Sequence, residues 1–167
     1  PPTLWTRGCA ESLCGPLVAL VGSRAASPYA LEVAHQLAGD LARRGITVVS
    51  GMARGVDSAA HRGALDAGGV TVAVFGCGVD VIYPREHQSL AARICERGAL
   101  VSEFRPQETP RAGYFPQRNR VISGLSRAVV VVEAAEKSGS LITARFALDQ
   151  GRDVLAVPGN ILSGRNA

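Results

Sequence analysis

Short apolar runs alternate with amphipathic stretches along the whole chain. Leu17–Val21, Thr47–Ser50, Thr71–Phe75, Ala99–Ser102, Ala128–Val132 and Asp153–Val157 are near-continuous apolar and β-branched segments. That is the pattern of strands buried on both faces of a sheet. Between them, Pro28–Arg43, Asp57–Ala67, Arg85–Arg97, Arg118–Gly124 and Ser140–Gln150 carry helical periodicity. Ser27 stands as N-cap before Pro28, and Asp57 occupies the capping position of the next helix. Pro1–Gly8 forms a short strand entering a turn. Strand–helix alternation of this length predicts βαβ units with right-handed crossovers. The predicted class is α/β, a three-layer, mostly parallel sheet with helices on both faces. The 167 residues suit one domain. Both ends look cut, so a fragment of a longer protein is expected.

The connections fall into two kinds. Helix-to-strand turns are short and glycine-bearing (Arg44-Gly45, Gly68-Gly69, Arg97-Gly98, Gly151-Arg152), which C-capping explains. Strand-to-helix loops hold the reactive residue types, and in a parallel sheet they all emerge at the carboxyl edge, where such folds bind ligands. Gly22-Ser23-Arg24 offers backbone amides, a helix dipole and a guanidinium. Ser50-Gly51-Met52-Ala53-Arg54-Gly55 brackets Arg54 between glycines just before a helix, making Arg54 the strongest single anion candidate. Phe75-Gly76-Cys77-Gly78 lacks the third glycine of the dinucleotide fingerprint and lies in the wrong βα unit. No phosphate-binding loop of the G-x-x-x-x-G-K type is present. Tyr83 reads either as a lid over the core or as a stacking ring. Tyr114-Phe115-Pro116-Gln117-Arg118-Asn119-Arg120 mixes rings with cations, as single-strand binding requires. Lys137-Ser138-Gly139-Ser140 sets an anion nest at a helix start.

Charge adds a mild preference for anions. The formal net charge is +4, carried by 17 arginines and one lysine, Lys137. Cys9, Cys14, Cys77 and Cys95 form no C-x-x-C pair, and His35, His61 and His87 are far apart in sequence. Free thiols and a cytoplasmic location are expected, with no metal and no cofactor. No apolar run approaches the roughly 18–20 residues needed to cross a membrane. No nucleophile–base set stands out. Asp57, Asp80, Glu103 and Glu133 remain acid/base candidates, but the chain reads as a binding protein rather than an enzyme.

Taken in register, these fragments resemble the DprA/Smf family of DNA-processing proteins. The marks are Val21-Gly22-Ser23-Arg24, the run Ser50 to Asp57, Gly76 to Pro84, Phe115 to Ser126, Lys137 to Ala144, Val157-Pro158-Gly159 and Ser163-Gly164-Arg165-Asn166. The resemblance covers nearly the whole chain. It implies an extended Rossmann-like fold and sequence-independent binding of single-stranded DNA in natural transformation. It also implies protection of incoming DNA, help in loading the RecA recombinase, and homodimerisation. Carried onto this chain, the DNA pocket would comprise Arg24, Ser50, Gly51, Arg54, Phe115, Arg118, Asn119, Lys137, Ser138 and Gly139. Family members usually carry a preceding helical domain and often a following winged-helix-like domain, so the resemblance implies that these 167 residues are the core of a longer protein. The alternative is a Rossmann-type sensor or phosphoribohydrolase-like enzyme acting on a small nucleotide. Such proteins usually show a P-G-G-x-G-T-x-x-E run, which this sequence lacks.

Overall fold

A computed structural model describes residues 1–159. Seven strands form one sheet: β1 (Trp5–Gly8), β2 (Leu17–Val21), β3 (Thr47–Ser50), β4 (Thr71–Val74), β5 (Ala99–Ser102), β6 (Ala128–Val131) and β7 (Asp153–Ala156). Five helices connect them: α1 (Pro28–Arg43), α2 (Val56–Asp66), α3 (Gln88–Arg97), α4 (Tyr114–Leu125) and α5 (Gly139–Asp149). The spatial order is β1-β5-β4-β3-β2-β6-β7, with β1 antiparallel to β5 and every other pair parallel. The chain therefore steps outward from β2 through β3 and β4 to β5, then crosses back to β6 on the other side of β2. The order reverses between β2 and β6, which opens a crevice at their carboxyl ends.

The period-two alternation of strand side chains sorts the core into two layers. Val49, Val72, Val74, Val101 and Val129 pack with Val121 and Ile122 of α4 and Ala147 of α5. On the other face, Leu20 and Val48 meet Ala38 of α1 and Ala60 and Ala64 of α2. Phe75, Ala73 and Leu100 meet Leu90, Ala91 and Ile94 of α3. Small residues let α1 and α2 approach closely. A Cβ on Gly63 would fall 2.1 Å from the His35 carbonyl oxygen, so only glycine fits this crossing.

The local predictions hold with instructive shifts. Ser27 caps α1, its hydroxyl accepting from the Ala30 N–H at 3.1 Å. Asp57 is not a cap. Gly55 holds that position at φ +80°, and Asp57 lies in the first turn of α2, its carboxylate accepting from the N–H groups of Gly51 and Ala53. Helix α4 starts at Tyr114, one turn before the predicted Arg118, because Pro116 is tolerated in a first turn whose N–H groups need no intrahelical partner. Residues Arg85–His87 form a 3₁₀ turn ahead of α3. The predicted Ser163-Gly164-Arg165-Asn166 motif lies outside the described residues. No helix among those described is long and apolar enough to cross a membrane.

Candidate functional site

Three strand-to-helix loops are tied together at the reversal in strand order. The Ser23 N–H donates to the Glu133 carbonyl at 2.8 Å, joining the loops after β2 and β6. The Ser23 carbonyl accepts from the Val56 N–H at 3.2 Å, joining the loop after β3. The approach is so close that a Cβ on Gly22 would meet Val56 at 2.6 Å, and one on Gly55 would meet the Ser23 carbonyl oxygen at 2.2 Å. These glycines make the clasp possible, so their first role is steric.

Above the clasp lies a cleft of about 840 Å³, whose wall includes Arg24, Asp57, Tyr83, Arg111, Phe115, Arg118, Asn119, Lys137, Ser138 and Gly139. A smaller adjoining pocket is lined by Arg24, Gly51, Arg54, Tyr83, Phe115 and Arg118, among others. Arg24 and Lys137 are exposed and form no ion pair among the described residues. At the α5 end, Ser138 is the N-cap, its hydroxyl accepting from the Ser140 N–H. The dipole of this 11-residue helix favours negative charge at the same place.

The floor of the cleft is a buried guanidinium. Arg118 is only 4% exposed. It donates from Nη1 to the carbonyls of Gly51 (2.7 Å) and Val74 (2.8 Å), and from Nε to Asn119 Oδ1 (3.0 Å). Among the described residues no carboxylate lies within ion-pairing distance of it. Burial draws its pKa down to about 10, Asp57 acts in the opposite sense, and Arg24 adds repulsion. It remains a cation at neutral pH. Burial likewise raises Asp57 above the ordinary carboxylate value, opposed first by Arg118. The two charges grip one peptide segment from opposite sides: Asp57 takes the Gly51 N–H, Arg118 the Gly51 carbonyl.

The next residue, Met52, adopts φ +63°, uncommon for a non-glycine side chain and costing about 1–3 kcal/mol. Two imidazoles hold it. His61 Nε2 accepts the Met52 N–H at 3.3 Å, and His87 Nδ1 donates to the Met52 carbonyl at 2.9 Å. His61 Nδ1 donates to Thr71 Oγ1, whose own hydrogen goes to the Val48 carbonyl. His61 is thereby fixed as the neutral Nδ1–H tautomer, and burial lowers its pKa to about 3. Two histidines that are 26 positions apart in sequence thus act on a single backbone unit.

The predicted residues fall into distinct settings. Arg24, Phe115, Arg118, Asn119, Lys137, Ser138 and Gly139 share the main cleft. Ser50 does not reach it: the side chain is fully buried and donates to the Leu20 carbonyl at 2.6 Å. Gly51 supports the floor through Asp57 and Arg118. Arg54 lines only the smaller pocket, and its Nε donates to Glu86 at 2.5 Å, so its charge already has a partner. Of the four acid/base candidates, only Asp57 lines the cleft. Glu133 accepts from the backbone N–H and hydroxyl of Ser27, Glu103 pairs with Arg120, and Asp80 lies 4.0 Å from Arg7. Cys77 is a buried thiol whose pKa rises to about 11, which makes it unreactive near neutral pH. Arg111 and Tyr83 line the cleft beyond the predicted set. The tyrosine was legible as an aromatic closing a glycine-rich loop, whereas Arg111 stands in a loop without periodicity.

The chain matches the family described as DNA recombination-mediator protein A over residues 1–167. It is 51% identical over 162 residues to Protein Smf of Escherichia coli, covering 96% of this chain and 43% of that protein. The solved structure of DNA processing protein A from Streptococcus pneumoniae superposes with a TM-score of 0.91 at 44% identity, covering 98% of this chain and 57% of that one. DNA processing protein A from Helicobacter pylori, whose structure addresses its single-stranded DNA binding mode, gives a TM-score of 0.88 at 33% identity, covering 95% and 73%. The chain spans about half the length of the curated relatives it matches, 43% of the first and 58% of the second. Matched over its full length by the family model, and 51% identical to one relative over 96% of its residues, the chain belongs to the DNA recombination-mediator protein A family, the DprA/Smf proteins.

Proposed function

We propose that this domain holds single-stranded DNA by its phosphates, without reading sequence, in the cleft between the ends of β2 and β6. The observation that carries this reading is the Arg118 guanidinium. It is a buried cation at the floor of an open cleft, with no carboxylate in ion-pairing range among the described residues. Burying a charge is unfavourable unless it is compensated. A phosphate entering between Arg24 and Lys137 compensates it, and the α5 terminus adds to the attraction. Ser50 and Gly51 act as supports for the floor. Arg54 contributes only as far as it leaves Glu86. The Helicobacter pylori relative supports DNA as the source of the phosphates. The wider role follows the family resemblance: a non-enzymatic, cytoplasmic, homodimeric protein that protects incoming DNA in natural transformation and helps load RecA.

Titration of a labelled oligonucleotide at several salt concentrations tests the cleft. Log affinity is expected to fall linearly with log salt, by about 0.7 per phosphate contact for a single strand. Arg24→Ala or Lys137→Ala should make that slope shallower by about one contact. Arg54→Ala should change it less, because Glu86 already neutralises that charge. Binding that ignores salt, or a larger effect at Arg54 than at Arg24, would count against this assignment.

A further inference from the structure

We infer that Tyr83 is the residue on which an unpaired nucleobase stacks, with Phe115 as its support rather than the stacking surface itself. The inference rests on the cleft holding the strand's phosphates, and it adds where the base goes. Tyr83 is 42% exposed and lies on the rims of both the main cleft and the smaller pocket. Its ring centroid is 5.5 Å from that of Phe115, at an interplanar angle of 43°.

The two rings differ in what already covers them. Phe115 is packed on Gly76, where a Cβ would approach its ring to 2.7 Å. The guanidinium carbons of Arg24 and Arg118 each lie 5.6 Å from its centroid. Phe115 is therefore half-buried, with backbone and two guanidinium groups already against its ring, and it orients both arginines. The other tyrosines are tied down. Tyr114 stacks on Phe104 at 4.0 Å and donates its hydroxyl to Glu108, and the Tyr29 hydroxyl donates to the Pro158 carbonyl. Among the described residues, the Tyr83 hydroxyl has no such partner. A tyrosine that lids a core is buried and satisfied. Tyr83 is neither, and it stands beside the cations that attract a phosphate. A base can reach it only when unpaired, since both faces of a paired base are stacked in a duplex. Stacking of this kind tolerates any base.

The test compares the wild-type chain, Tyr83→Ala and Tyr83→Phe on oligothymidine, and on the same oligonucleotide with one abasic residue placed at each position in turn. Tyr83→Ala is expected to weaken binding about 5- to 100-fold at fixed salt with its salt slope unchanged. Tyr83→Phe should stay close to wild type, because the ring face is retained. At one position, the abasic residue should reproduce the loss in wild type and add nothing in Tyr83→Ala. The proposal is overturned if Tyr83→Ala, shown folded by its thermal transition, binds like wild type. It is equally overturned if every abasic oligonucleotide binds wild type as tightly as the intact one, an arm that needs no variant. Failure of wild type to bind any oligonucleotide would instead remove the phosphate cleft on which the inference stands.

Discussion

Lowering the pH from about 6.5 to about 4.5 is expected to remove about 2 kcal/mol of stability from this fold through His61. In the unfolded chain this imidazole titrates near 6.5, whereas in the fold burial brings it to about 3. Between those values the unfolded state binds a proton that the native state refuses. Stability therefore rises with pH across the window and is lost as pH falls through it, by about 1.4 kcal/mol per unit. The structural cause is specific. Protonated Nε2 can no longer accept the Met52 N–H, and a charge would be created among His87, Arg62 and Arg118, all of which disfavour it. Asp57 acts with the opposite sign. Its folded pKa is raised, so the stability linked to it is lost as pH rises through that value, and acidification offsets a part of the His61 loss. Urea unfolding of wild type and His61→Gln at several pH values separates the contributions. Glutamine can keep one donor and one acceptor but does not titrate, so the steep acid slope should vanish in the variant. Equal slopes in the two proteins would contradict the assignment.

Arg118→Ala is expected to lower stability by about 3–5 kcal/mol, because three buried acceptors each lose a donor at about 1–3 kcal/mol apiece. For a chain of this size that corresponds to a fall in Tm of roughly 6–20 °C. The loss has three sources. The Gly51 and Val74 carbonyls and Asn119 Oδ1 lose their donor, Asp57 loses the cation that favours its charged form, and a space opens under Phe115. Adding Asp57→Asn should recover part of the loss, because the neutral amide no longer needs a buried cation. A fall below about 1 kcal/mol in Arg118→Ala, or strict additivity with Asp57→Asn, would show that the floor of the cleft is not built on this pair. Arg118 therefore has a structural role that its substitution cannot separate from the proposed contact with phosphate, which is why Arg24 and Lys137 are the better probes of binding.

The legible part of this protein is that governed by short-range rules. The Pro28–Arg43 helix and three strands, Leu17–Val21, Thr47–Ser50 and Ala99–Ser102, were predicted to the residue, because β-branched runs, Pro at N1 and a Ser N-cap are local signals. The gathering of arginines at one edge followed from topology alone, since βαβ units send every strand-to-helix loop the same way. What sequence could not reveal were relations across loops. Arg54 had the best local credentials for an anion site, yet its partner, Glu86, sits on a different loop, 32 positions away. Arg118 was legible as a binding cation among aromatic rings, but its burial depends on how α4 crosses β3 and β4. Nothing in the spacing of His61 and His87 suggested that both close on Met52. Gly63 gave no turn signal either, because its reason is the crossing of two helices.

In the proposed reading, the cleft between the ends of β2 and β6 grips a run of phosphates. Mapping backbone amide shifts by NMR on adding oligothymidine tests it most directly. The largest changes should fall at Ser23, Arg24, Ser138 and Gly139, weakening together as salt is raised. Changes confined to the outer faces of α1 and α3, with those four amides unmoved, would contradict it.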